Sequence, residues 1–100
     1  MVAKNHFTFT SKALETLPIP ATKRSTYYDL KARGLAIYIT TTGVKTFFVY
    51  RRVHGKPERI IIGRINEITL EQAREKATHI NAQIADGKNP QDAKRAIRQD

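Results

Sequence analysis

The residues best placed to do chemistry are two arginines, Arg52 and Arg59. They are set among Tyr38, Thr40, Thr46, Phe48, Tyr50 and Ile61 along three short apolar runs. A guanidinium presents parallel N–H donors that match guanine O6 and N7, while Thr hydroxyls and apolar atoms suit adenine edges and the thymine methyl. This set contains no carboxylate, and it puts rings beside guanidiniums where a solvated strand face often carries Thr, Lys or Glu. An exposed Phe48 next to Tyr50 makes a small adhesive patch that needs a cover. Lys45, Lys56 and Arg64 fall near strand ends and turns, within reach of phosphates, contacts that fix register without reading sequence. The candidate DNA-binding set is therefore Tyr38, Thr40, Lys45, Thr46, Phe48, Tyr50, Arg52, Lys56, Arg59 and Arg64.

Those residues need a sheet to hold them. Leu35, Ile37 and Ile39 alternate with Ala36, Tyr38 and Thr40, the period-2 pattern of a half-buried strand. Thr41–Val44 reads as a turn, Thr46–Val53 as a second strand, residues 54–57 as a second turn and Arg59–Gly63 as a third strand. Phe47, Val49, Val53, Ile60 and Ile62 then share the core face. Arg51 falls on that apolar side. Either its stem lies along the core edge with the guanidinium in water, or a bulge shifts the register there.

The helix is the best-marked element. Thr69 and Gln72 form a T-x-x-Q capping box, with Ile68 able to staple against Ala73. Leu70, Ala73, Ala77, Ile80 and Ile84 make one apolar stripe, Gly87 suits the C′ position and Pro90 follows. The stripe requires the apolar sheet face. The expected class is α+β: a three-stranded antiparallel β-sheet packed on one C-terminal α-helix, with a short N-terminal helical or extended segment. Ser11–Leu17 fits a turn or two of helix begun by Thr10 or Ser11 and stopped by Pro18 and Pro20, and Ala21–Lys31 reads as an ordered loop or arm. The expected division is 1–33 approach segment, 34–87 binding domain and 88–100 the start of a linker or helix, from Asn89-Pro90, toward a further region.

Charge supports the partner. The net charge is +9, which favours a polyanion. Residues 34–64 carry Lys45, Arg51, Arg52, Lys56, Arg59 and Arg64 against Glu58 alone, whereas 65–87 carry Glu67, Glu71, Glu75 and Asp86 against Arg74 and Lys76. The positive charge belongs to the sheet. With no cysteine there is neither a disulfide nor a thiolate metal site. No apolar run approaches the roughly 20 residues needed to cross a bilayer, and the N-terminus lacks a signal-peptide centre, so the expectation is a cytoplasmic protein with no membrane partner. His6, His54 and His79 have no metal-ligand spacing, and no motif calls for a cofactor.

In order along the chain, Asp29-(x4)-Gly34-Leu35-Ala36-Ile37-Tyr38-Ile39, Gly43-Val44-Lys45-Thr46-Phe47, Arg52-(x2)-Gly55-Lys56 and Ile62-Gly63-Arg64 are followed by Ile68–Ala77 and Gly87-Lys88-Asn89-Pro90. This series resembles the N-terminal arm-DNA-binding domain of phage and genomic-island (P4-type) tyrosine integrases, over roughly residues 11–92. The resemblance implies a sheet inserted into the major groove of arm-type attachment sites, in DNA integration and excision, with other integrase protomers as partners of the full-length protein. It also implies that the strand-cleaving tyrosine lies in a C-terminal domain outside this chain, so that Tyr27, Tyr28, Tyr38 and Tyr50 are not nucleophiles and the fragment is not itself an enzyme. The chain departs from the family pattern at Tyr50-Arg51, where Arg then Tyr is common. It departs again at Ile65-Asn66, where an aromatic and Pro are usual, and at Asn89, where Asp is common.

Two other functions compete: a protein-interaction module docking through Phe48 and Tyr50, and a single-stranded RNA binder, since aromatic and basic strands also suit unpaired bases. In a further alternative, residues 1–28 fold back over the face, with Phe7 or Phe9 packed there.

Overall fold

Strict alternation of large apolar side chains gives one sheet face a continuous core, and a helix with a matching stripe closes it. A computed structural model describes residues 5–89. The elements are β1 (His6–Phe7), α1 (Ser11–Glu15), β2 (Ser25–Asp29), β3 (Leu35–Ile39), β4 (Lys45–Val53), β5 (Lys56–Arg64) and α2 (Leu70–Ala85). The class is α+β, but the sheet has five strands in the order β1-β2-β3-β4-β5, not three. β1 runs parallel to β2 and every other pair is antiparallel. The segment read as a loop or arm supplies the difference. Ser25–Tyr28 pair with Ala36–Ile39, which sends Tyr27 into the core and Thr26 and Tyr28 to the opposite face.

The core face carries Leu35, Ile37, Phe47, Val49 and Ile60 against Ala73, Ala77 and Ile80 of α2. Among the described residues the leading segment completes this layer, and its Phe7 and Phe9 do not pack on the other one. Phe9 and Leu14 are buried in the same cluster, with Phe7 packed beside them. The five-residue α1 is capped by Thr10, whose side chain accepts from Ala13 N. In α2 the expected capping box is formed, Gln72 N donating to Thr69 Oγ1 and Thr69 N to Gln72 Oε1; such a cap is worth about 0.5–2 kcal/mol. Its far end closes as a Schellman motif. Gly87 N donates to Ile84 O and Lys88 N to Gln83 O. The helix expected beyond Asn89-Pro90 lies outside the described residues.

The β4–β5 turn is shorter than the four residues expected. Val53 pairs directly with Lys56, leaving His54 and Gly55 as a two-residue turn with φ of 53° and 81°. Positive φ at both positions is the type I′ geometry, whose twist matches the flanking strands. Pro57 is accommodated because β5 is an edge strand.

Two features settle the side-chain register. Arg51 has no bulge beside it: the pairs Tyr50–Arg59, Arg51–Glu58 and Arg52–Pro57 run without a break. Its stem lies over Gly34, and its guanidinium donates to Asn81 Oδ1 of α2 and so does not end in open water. Burial first, then the charge of Arg33, pushes its pKa down. The bulge sits elsewhere, where Phe47 pairs with Gly63 and Phe48 with Ile61. One extra residue there reverses the alternation. Arg64, which regular alternation would place with Ile60 and Ile62, instead pairs with Thr46 on the face away from α2.

Candidate nucleic-acid interface

Directly opposed residues in paired strands share a face, so the registers lay out the surface opposite α2 as cross-strand rows. One row runs Thr26, Tyr38, Thr46, Arg64; the next runs Tyr28, Ala36, Phe48, Ile61; beyond it Tyr50 meets Arg59, and then Arg52 meets Pro57. Eight of the ten residues expected at the interface therefore stand on one surface: Tyr38, Thr40, Thr46, Phe48, Tyr50, Arg52, Arg59 and Arg64. Lys45 and Lys56 do not. Lys45 pairs with Ile39 on the core side, and its ammonium donates to Leu14 O at 2.8 Å and Glu15 O at 3.0 Å, satisfying carbonyls at the end of α1. Lys56 pairs with Val53 at the hairpin end and is exposed.

The aromatic patch is built differently from the sequence expectation. Phe48 is buried, at 1% exposure, whereas Tyr50 at 41% and Ile61 at 51% are open. The Tyr38 ring lies 5.7 Å from the Phe48 ring, and the Arg59 guanidinium is 5.6 Å from Phe48 and 6.0 Å from Tyr50. Phe48 thus serves as a floor that holds Arg59 by cation–π attraction. A shallow depression of about 410 Å³ lies beside it, lined in part by Tyr38, Thr40, Thr46, Ile61, Arg64 and Glu67. Glu67 brings one carboxylate to this corner, and there it accepts from the backbone N–H of Arg64. Thr40 is committed to its turn, accepting from Val44 N and sharing a hydrogen bond with Thr42. Arg52 donates to Gly55 O across the hairpin.

The β1–β2 side of the sheet adds residues that sequence reasoning missed. Arg24 places its guanidinium 5.0 Å from the centroid of the Tyr38 ring. His6 stacks on Tyr28 at 4.8 Å. The available signal was the strand-forming run Thr26-Tyr27-Tyr28, overshadowed by the polar and basic residues around it. Among the described residues no group of side chains could hold a metal ion, and no helix is long and apolar enough to cross a membrane.

A basic α+β module with cations seated on rings, on a sheet face its own helix leaves uncovered, belongs to the class of nucleic-acid-binding domains. Its family is specific: the sequence model described as the Arm DNA-binding domain matches residues 9–97, and the chain belongs to that family. It is also similar to the integrase of Shigella phage Sf6 and to the prophage integrase IntS of Escherichia coli (strain K12), 31% identical to each over 74 residues. Each match covers 74% of this chain, and the chain spans 19% of the length of either relative.

Proposed function

We propose that this chain recognises double-stranded DNA by laying the sheet face opposite α2 into the major groove, as the arm-site-binding module of a tyrosine integrase in DNA integration and excision. The carrying observation is the Arg59 guanidinium held over Phe48 and Tyr50, in the middle of a face that also presents Arg52 and Arg64. A guanidinium fixed on a ring floor meets guanine O6 and N7 with little conformational entropy left to lose. Ile61, next to it on β5 and exposed, offers a methyl contact, while Arg52 and Arg64 lie toward opposite ends of the face for the backbone; Thr46, at 5% exposure, is too buried to offer its hydroxyl. Cleavage and joining belong to the integrase outside this chain, where other protomers assemble; this domain contributes address and affinity. The similarity to two integrases and membership of the arm family support this assignment.

The test is an anisotropy titration of a labelled random-sequence duplex and its single strand at two salt concentrations, followed by selection of bound sequences from a duplex pool. Duplex preference, an affinity falling with slope about −0.9 per phosphate contacted, and enrichment of one sequence are expected. Preference for the single strand, or self-association without salt-dependent DNA affinity, would replace this reading with RNA or protein docking.

A further inference from the structure

We infer that Arg24, seated on Tyr38, is a phosphate clamp on the β1–β2 flank of the DNA-facing surface, and that Tyr38 is its positioning residue, not a base contact. The inference rests on the groove reading above and adds a subsite to it. Strands lie about 4.8 Å apart, so β3–β5 span about 10 Å and enter a groove about 12 Å wide, whereas all five strands span about 19 Å and do not. With β3–β5 inserted, β1 and β2 must ride over the sugar–phosphate backbone at the groove edge.

Arg24 is the cation that this flank holds against the ring of the DNA-facing surface. Continuing the pairing of Ser25 with Ile39 puts Arg24 opposite Thr40, and its guanidinium leans diagonally onto the half-buried Tyr38 ring, 5.0 Å from the centroid. Arg24 is exposed, and no described residue hydrogen-bonds or ion-pairs with it. The ring takes one face of the guanidinium and leaves the N–H edge to an oxyanion. Tyr38 is in turn held by the Phe48 ring at 5.7 Å, so clamp and base-reading arginine share one aromatic floor.

The test uses a labelled random-sequence duplex, which isolates backbone contacts, and the salt dependence of affinity for the unaltered chain, Arg24→Ala, Arg24→Lys, Tyr38→Phe, Tyr38→Ala and the double variant Arg24→Ala/Tyr38→Ala. Thermal melting of each variant separates unfolding from loss of the clamp. Arg24→Ala should make the salt slope shallower by about 0.9. Tyr38→Phe should leave the slope unchanged, and Arg24→Lys should recover it in part. Tyr38→Ala should weaken binding, and the double variant should bind no worse than Arg24→Ala alone. If the unaltered chain binds duplex and Arg24→Ala keeps the full slope, the clamp is wrong while the groove reading stands. If the two alanine substitutions add, the positioning role of Tyr38 fails. A chain that does not bind duplex at all overturns both the clamp and the reading beneath it.

Discussion

Asp29 and Arg74, 45 residues apart in sequence, form the ion pair that ties the leading segment to the helix. Arg74 Nε lies 3.1 Å from Asp29 Oδ2, and the Asp29 side chain is fully buried. Asp29 also accepts from the backbone N–H groups of Phe9, Lys31 and Ala32, while Arg74 donates to Phe9 O. One carboxylate thus fixes the end of β2, the entry to α1 and the outer side of α2.

Removing that carboxylate should be expensive. Asp29→Ala leaves three backbone donors and a largely shielded guanidinium without their acceptor, and breaking such a pair costs about 3–5 kcal/mol. Urea denaturation should show a large drop in midpoint, whereas Arg74→Met should cost less, because the backbone donors keep their acceptor.

Acid should act through the same group. Burial raises the Asp29 pKa, but the Arg74 guanidinium and the N–H groups of Phe9, Lys31 and Ala32 outweigh it and hold it below the ordinary 3.8. A carboxylate depressed on folding contributes its stability in full above the unfolded value and loses it as pH falls through the folded value. Stability followed by circular dichroism should therefore decline below about pH 4, and Asp29→Asn should flatten that decline.

Lys45 separates structural from DNA-binding cations. Its ammonium closes the end of α1, so Lys45→Met should lower the melting temperature by an amount equivalent to about 1 kcal/mol. The salt slope of duplex binding should stay unchanged; a shallower slope would return Lys45 to the phosphate contacts.

Arg59 carries the specificity claim. Arg59→Ala should weaken binding to the selected duplex by about 1–3 kcal/mol more than to random duplex; because Arg59 also covers Phe48, thermal melting must show the variant folded at the assay temperature. Equal losses on the two duplexes would reduce Arg59 to a backbone contact.

Gly34 tests the packing of Arg51. Its φ is 79°, and a Cβ there would stand 2.9 Å from Arg51 Cδ. Gly34→Ala combines a left-handed residue, worth about 1–2 kcal/mol, with displacement of the Arg51 stem from its path to Asn81, and chemical denaturation should register at least the first cost.

The elements legible in sequence were those whose signals are local. The capping box at Thr69, the Schellman closure at Gly87 and the alternation of β3 and β4 each lie within a few residues. Strand β2 was harder to read, because its short Thr26-Tyr27-Tyr28 run is set among polar and basic residues and is completed by pairing with β3, and the two residues of β1 depend in turn on β2. That Tyr38, Thr40, Thr46, Phe48, Tyr50, Arg52 and Arg59 share one sheet face was legible from alternation; the place of Arg64 was not, because the bulge at Phe47 and Phe48 sets it there. The burial of Phe48 was not, since its cover comes from Tyr38 on another strand and Arg59 on a third. Nor was the role of Lys45, whose acceptors are about thirty residues upstream.

The segment that follows α2 is moored to the β4–β5 hairpin. His54 Nε2, at the tip, lies 3.1 Å from Gly87 O, and Asn89 Nδ2 reaches Glu58 Oε1. The last described residues, 87–89, are therefore tied to the same two strands that carry Arg52 and Arg59. The end of α2 and the hairpin thus move as one piece, so that a tilt of β4 and β5 carries Gly87 and Asn89 with it.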